Sequence, residues 1–219
     1  MIAIIPCAGD GQRFTDVGYD VPKSLLPMPD GRQLLDHILD SLPVELTSIL
    51  IICKSGHEKM IAGNFRSNED KLHLLPVKRK TRGPLDTLTE ARLILRKDDE
   101  LLINYCDCFL PDNQCSEFVN EMRSRGRHAG VVCFPSHDER FQREPSDKFA
   151  MSGIFWFKSS KQFVDIAVQN KDNAELSPGH VAFAIRWMGL NMCAAFITNN
   201  IVDLGVPETY QMYLAMHNV

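Results

Sequence analysis

The sequence has no apolar run approaching the ~18 residues of a membrane-spanning helix, so an integral membrane protein is not expected. It has no excess of positive charge. Twenty-four Lys and Arg stand against 28 Asp and Glu, giving a net charge of −4. No global positive field would attract a nucleic-acid backbone or an anionic membrane surface, and neither partner is expected. The N-terminal Met1-Ile2-Ala3-Ile4-Ile5-Pro6 lacks a basic region, and its apolar run is too short for a secretion signal, so the expected location is cytoplasmic. The seven cysteines cannot all pair, and they are spread from Cys7 to Cys193. That argues against a secreted disulfide framework and for reduced thiols. No internal repeat, low-complexity tract or Pro/Gly/Ser-rich linker divides the chain, so residues 1–219 are read as one domain.

Apolar runs of strand length alternate with stretches of helical spacing. Strands are expected at Ile2–Pro6, Ser48–Cys53, Lys71–Val77, Glu100–Tyr105, Ala129–Phe134, Met151–Phe157 and Met192–Ile201. Helices are expected at Gln33–Leu42, Glu58–Phe65, Leu85–Leu95, Cys115–Arg125, Lys161–Val168, His180–Gly189 and Pro207–Met216. The segment His137–Lys148 reads as a charged loop. This alternation predicts an α/β fold: a mostly parallel sheet with helices on both faces.

In open α/β sheets, ligands sit beyond the carboxyl ends of the strands. After the first strand come Ala8-Gly9-Asp10-Gly11-Gln12-Arg13-Phe14 and then Pro22-Lys23-Ser24-Leu25-Leu26-Pro27. The two glycines allow backbone N–H groups to gather around an anion, and Arg13 and Lys23 supply cations that could neutralise a triphosphate. A tight turn beside two solvated cations would look the same. The loop is not a Walker A motif, because no Gly-Lys-Ser/Thr follows. It is not the dinucleotide fingerprint either, because Phe14 stands where the third glycine belongs. Asp107 follows the central strand and Asp203 follows the last one; each is a candidate Mg²⁺ ligand or, alternatively, a turn or capping residue.

Taken together, Gly-x-Gly-x-Arg-Phe, Pro-Lys-x-Leu-x-Pro, a strand ending in Asp, Gly-Ile-Phe-x-Phe, and Asp-Leu-Gly-x-Pro-Glu-x-Tyr stand in one order between Ile2 and Tyr210. The sequence resembles the sugar-phosphate nucleotidyltransferases, the NDP-sugar pyrophosphorylases. Within them it is most like the short single-domain members found in polysaccharide and capsule clusters. The resemblance implies a three-layer, Rossmann-like core of the glycosyltransferase-A type. It implies an Mg²⁺-dependent transfer of a nucleotidyl group from an NTP to a phosphorylated acceptor, such as a sugar 1-phosphate, with release of pyrophosphate. By the same resemblance, Ala8, Gly9, Gly11, Arg13 and Lys23 would hold the triphosphate, and Arg13, Lys23 and Asp107 would be catalytic. Asp107 and Asp203 would hold Mg²⁺, and Gly83, within Thr81–Thr87, would pack on the nucleobase.

The acceptor side departs from the family pattern. Relatives carry Glu-Lys-Pro before the Gly-Ile-Tyr-x-Phe strand, whereas this chain has Arg143-Glu144-Pro145. Glu144 replaces the lysine that grips the sugar phosphate, so Arg143 or Lys148 would have to substitute, with Gly153 and Glu175 as further pocket candidates. Two other readings stay open: a glycosyltransferase on the same core, and a non-catalytic binder of nucleotide sugars. Cys106-x-Cys108 with Cys115 could be a thiolate metal site but fits core packing better. His57 fits a surface or capping residue. The Lys78-Arg79-Lys80-x-Arg82 cluster fits a solvated face or the rim of a phosphate pocket better than a nucleic-acid surface.

Overall fold

The computed structural model describes residues 1–63, 69–95, 98–136, 149–170 and 193–217. The expected helix His180–Gly189 and the loop His137–Lys148 lie outside them, as do the candidates Arg143, Glu144, Lys148 and Glu175.

Seven strands form the main sheet: β1 (Ile2–Cys7), β2 (Ser48–Lys54), β3 (Leu72–Val77), β4 (Leu101–Asn104), β6 (Ala129–Pro135), β7 (Phe149–Phe157) and β8 (Cys193–Ile197). Their order is β3-β2-β1-β4-β7-β6-β8. β7 runs antiparallel to both neighbours, while β1 with β2, β1 with β4, β2 with β3, and β6 with β8 are parallel pairs. The sheet is thus mostly parallel, as the β-α alternation requires. A small second ladder pairs β5 (Cys108–Phe109) antiparallel to β9 (Val202–Asp203).

Every residue of β1 is buried. Ile2 and Ile4 point into one core, and Ala3, Ile5 and Cys7 into the other, so both faces of the strand are covered. On the Ala3 side pack α2 (Leu34–Ser41), α5 (Gln114–Ser124) and α7 (Pro207–His217). On the Ile4 side pack α4 (Pro84–Thr89) and α6 (Ser160–Asn170). The apolar stripe of α2, Leu34, Leu35, Ile38 and Leu39, is buried, and each such side chain contributes roughly 1.5–3 kcal/mol of transfer free energy. Its first turn is secured by Gln33 N–H donating to Asp36 Oδ2 at 2.9 Å. It ends at Leu42, whose extended backbone is what the following Pro43 demands.

Two expected elements take a different form. Leu85–Leu95 is helical only as α4, continuing as a 3₁₀ turn over Glu90–Leu93. Thr87 Oγ1 donates to Gly83 O at 3.0 Å and Thr89 Oγ1 to Asp86 O at 2.7 Å, back-bonding that weakens a regular α-helix. The last strand, expected as one run over Met192–Ile201, divides. β8 stays in the main sheet, while Val202-Asp203 leaves it for Cys108-Phe109. Asn200 N–H donates to Thr198 Oγ1 at 3.0 Å, an ST turn that ends β8 and redirects the chain.

Candidate active site

A cleft of about 240 Å³ opens at the carboxyl ends of β1 and β4. Its walls come from the loop after β1 (Gly9, Gly11), the Pro22–Ser24 segment, the loop after β3 (Thr81–Pro84 with Thr87), and Tyr105–Asp107 after β4. Gly9, Gly11, Lys23, Gly83 and Asp107, singled out from sequence, are therefore brought to one place. Ala8 is buried beside Gly9 and packs in the Ile4-side core.

Gly11 adopts φ 64°, ψ 23° at the start of the short helix α1 (Gln12–Thr15), a left-handed conformation that a side chain would strain. That turn aims Phe14 inward while leaving Arg13 exposed. Arg13 does not line the cleft and has no ion-pair partner among the described residues. Phe14 meets Tyr19 and Tyr210 in an aromatic triangle with centroids 5.6–6.0 Å apart. Tyr210 Oη then donates to Pro27 O at 2.5 Å. The motif around Tyr210 is thus fastened to the two near the N-terminus, 183 residues from Pro27, and the segment carrying Lys23 is held in place.

Lys23 Nζ donates to Asp107 Oδ2 at 2.9 Å and to Gly205 O at 2.9 Å, and it lies 5.4 Å from the Phe14 ring centroid. Burial alone would lower the lysine pKa. The negative charge of Asp107, helped by Asp203, outweighs it and holds the pKa above the ordinary value, so the ammonium keeps its proton. Asp203 comes alongside Asp107 because Cys108 pairs with Asp203 across the β5–β9 ladder, and because Leu204 N–H donates to Asp107 O at 2.8 Å. Asp203 Oδ1 accepts from Gly205 N–H at 2.9 Å. A methyl group on Gly205 would stand 3.0 Å from Asp203 Oδ1 and 3.4 Å from Asp107 Oδ2. Both carboxylates therefore converge on one backbone position. Two hard oxygen donors beside a cleft suit Mg²⁺, which takes one or two carboxylates and completes its shell with water and phosphate oxygens.

Several contributors to the cleft are not evident from the sequence. Asp10, between the two glycines, accepts from Lys54 Nζ at 2.9 Å and from Lys80 Nζ at 2.8 Å, tying the loop to the ends of β2 and β3. Its carboxyl is held down at about 2, first by the bond from Lys80 and then by that from Lys54. A depressed carboxyl pKa contributes stability above its unfolded value and loses it as pH falls through the folded value. The stability difference between wild type and Asp10→Asn should thus be constant near neutrality and shrink between about pH 4 and about pH 2, as followed by thermal unfolding. A difference that does not change over that window would show that the two lysines do not hold Asp10.

The basic cluster is occupied within the fold. Arg79 pairs with Asp86 at 2.7 Å and also reaches Glu90, Lys80 holds Asp10, and Arg82 lines the cleft. Arg82 N–H donates to Asp86 Oδ2 at 2.8 Å, which fixes the loop leading into α4. His57 stands at the start of α3 (Glu58–Ala62), and Cys108 and Cys115 are packed in the core.

Asn104, fully buried at the end of β4, donates from Nδ2 to Tyr105 O and Cys108 O, both at 2.8 Å, and so shapes the turn that presents Asp107. Gly153 is buried on β7 and does not line the cleft, whereas Tyr105, packed over it, does. An added methyl at Gly153 would come within 2.5 Å of Tyr105 Cβ and Cγ. Gly153→Ala should therefore push Tyr105 aside and cost about 1–3 kcal/mol in chemical denaturation. An unchanged midpoint would refute the packing role.

A mostly parallel sheet with a glycine turn after its first strand, and a half-buried lysine beside two converging carboxylates, defines an α/β domain with a polar cleft at its strand ends. The sequence profile of the MobA-like NTP transferase domain matches residues 3–195. The chain belongs to that family. It is 30% identical over 115 residues to the bifunctional protein GlmU of Methanocaldococcus jannaschii, covering 52% of this chain and 26% of that protein. It is 32% identical over 104 residues to GlmU of Methanococcus maripaludis, covering 48% and 24%. The matched region is thus about a quarter of the length of these relatives. Among solved structures, a candidate glucose-1-phosphate thymidylyltransferase of Bacillus anthracis superposes with a TM-score of 0.80 at 19% identity, covering 99% of this chain and 95% of that one. A nucleoside-diphosphate-sugar pyrophosphorylase of Vibrio cholerae superposes with a TM-score of 0.75 at 18% identity, covering 98% and 100%. These likenesses establish the fold.

Proposed function

We propose that this domain transfers a nucleotidyl group from an NTP to a phosphorylated small-molecule acceptor, a sugar 1-phosphate, and releases pyrophosphate. The observation that carries the reading is the convergence of Lys23, Asp107 and Asp203 beside the glycine turn. One half-buried cation and one carboxylate in the cleft wall, with a second carboxylate next to them, support a reading in which phosphates bind there.

Phosphoryl and nucleotidyl transfer depend on positioning and charge neutralisation more than on covalent help from the protein. The backbone of Gly9 and Gly11 would receive the triphosphate. Thr81–Thr87, with Gly83, would receive the base. Lys23 lines the cleft beside Asp107, so its ammonium would lie against both the α-phosphate and the acceptor phosphate, screening two anions that must approach. The acceptor oxygen would attack the α-phosphorus in line with the departing pyrophosphate, and Arg13, exposed outside the cleft lining, would have to swing toward it to meet the charge that leaves. Asp107 and Asp203 would hold Mg²⁺, which supplies charge neutralisation at the α-phosphate when bound. On the acceptor side, Arg143 or Lys148 would take the place of the lysine that Glu144 replaces, with Glu175 as a further contact and Gly153 acting through Tyr105.

A matrix of NTPs against phosphorylated acceptors, with Mg²⁺ present, tests the proposal. Pyrophosphate release that requires one NTP and one phosphorylated acceptor together is expected. Activity with no pair, together with consumption of ready-made nucleotide sugars, would favour a glycosyltransferase.

A further inference from the structure

Two thiols lie at the floor of the cleft. Cys7 ends β1, and Cys106 follows β4. The β1–β4 pairing runs as far as Ile4 with Ile103; Cys7 ends β1 three residues on, and Cys106 lies in the turn three residues beyond Ile103. Both line the cleft, and Cys106 packs against the same core cluster that holds Cys7, where it raises the Cys7 thiol's pKa. On the other flank of β1, Cys7 is aligned with Cys53, but Cys53 is wholly buried and does not line the cleft. Cys106 is the more accessible of the facing pair. None of the seven cysteines forms a disulfide in this structure.

We propose that Cys7 and Cys106 form an oxidative modification site at the nucleotide cleft, in which a hydroperoxide converts the two thiols to a disulfide that blocks the site. Cys106 Sγ attacks the peroxide oxygen, the O–O bond breaks, and Cys106 becomes a sulfenic acid as one water (or alcohol) leaves. Cys7 Sγ then attacks that sulfur, the S–O bond breaks, and the departing hydroxide takes up the Cys7 proton as a second water. Two thiols are oxidised by two electrons, and one peroxide is reduced. The bond ties the turn carrying Asp107 to the start of the glycine loop, in the space between them. That functional consequence rests on the nucleotidyl-transfer reading above; the linkage itself does not.

The test treats the reduced full-length protein with hydrogen peroxide and follows intact mass and non-reducing peptide maps. A loss of about 2 Da, a linked peptide joining Cys7 to Cys106, and reversal by dithiothreitol are expected. Pyrophosphate release should fall at least ~10-fold with the linkage and return on reduction. In Cys7→Ser, the mass loss should give way to a sulfenic acid on Cys106 that dimedone traps. Linkage of Cys7 to Cys53, oxidation of Cys106 to sulfinic acid without a crosslink, or a retained 2 Da loss in Cys7→Ser would overturn the proposal. A full linkage with undiminished activity would overturn the blocking role. Reduced protein that releases no pyrophosphate at all would instead count against the nucleotidyl-transfer reading, and the mass measurement would still decide the linkage.

Discussion

Lys23→Ala is expected to lower turnover by ~10²–10⁴-fold while changing NTP affinity far less. The ammonium is already charged and held by Asp107 and the Gly205 carbonyl, so it needs no reorganisation to meet incoming phosphates. A charge-assisted contact is worth ~1.5–3 kcal/mol, and loss of one to each of two phosphates gives that range of rate. Binding of NTP alone engages only one of the two anions that Lys23 would screen, and the glycine-loop backbone remains. Lys23→Ala also leaves Asp107 and Asp203 facing each other without their cation, so the variant should gain metal affinity in the absence of nucleotide. Steady-state kinetics and calorimetric NTP titration separate these effects. An equal loss in turnover and in NTP affinity would mean that Lys23 is only a ground-state contact.

Asp107→Asn should remove ~10²-fold or more of the rate, because the carboxylate is proposed to hold the divalent ion that supplies several kcal/mol of charge stabilisation. Asp203→Asn should follow in the same direction. Its Oδ1 is also tied to Gly205 N–H, so this variant should lose some order in the turn as well. Removing divalent ions with EDTA should abolish activity in the wild type and leave little further to lose in Asp107→Asn. Turnover that survives EDTA undiminished would sink the metal assignment for both carboxylates.

The strands are legible because each is an apolar run bounded by turn residues, buried throughout in β1 and half-buried at the edges in β3 and β8, and the alternation of strand and helix implies the mostly parallel sheet. What was not legible arose where one local pattern serves two structures. Leu85, Leu88, Ala91 and Leu95 keep helical spacing through both α4 and the 3₁₀ turn, so the change of helix type leaves no mark on the apolar pattern. Thr198 to Asn200 sit inside what reads as one strand, and only the hydrogen bond between them shows that the chain turns.

The resemblance singles out Lys23, Asp107 and Asp203, but nothing in the sequence pairs them. Lys23 and Asp107 are 84 residues apart, and Tyr210 and Pro27 are 183 apart, separations across which no local spacing carries information. Asp10, between two glycines, carries no local signal of the two lysines from neighbouring strand ends that hold it. Tyr105 carried no signal of its own. The hint was Gly153, whose missing side chain makes room for the tyrosine.

The account is tested most directly by running the reaction backwards. With Mg²⁺ and radiolabelled pyrophosphate, a panel of NDP-sugars should include one from which this protein forms labelled NTP and free sugar 1-phosphate, and Asp107→Asn should not. That outcome requires cleavage and formation of bonds at the α-phosphorus, as proposed. Release of NDP with no label entering NTP would mark sugar transfer instead, and binding without either product would mark a non-catalytic receptor; both results would contradict nucleotidyl transfer.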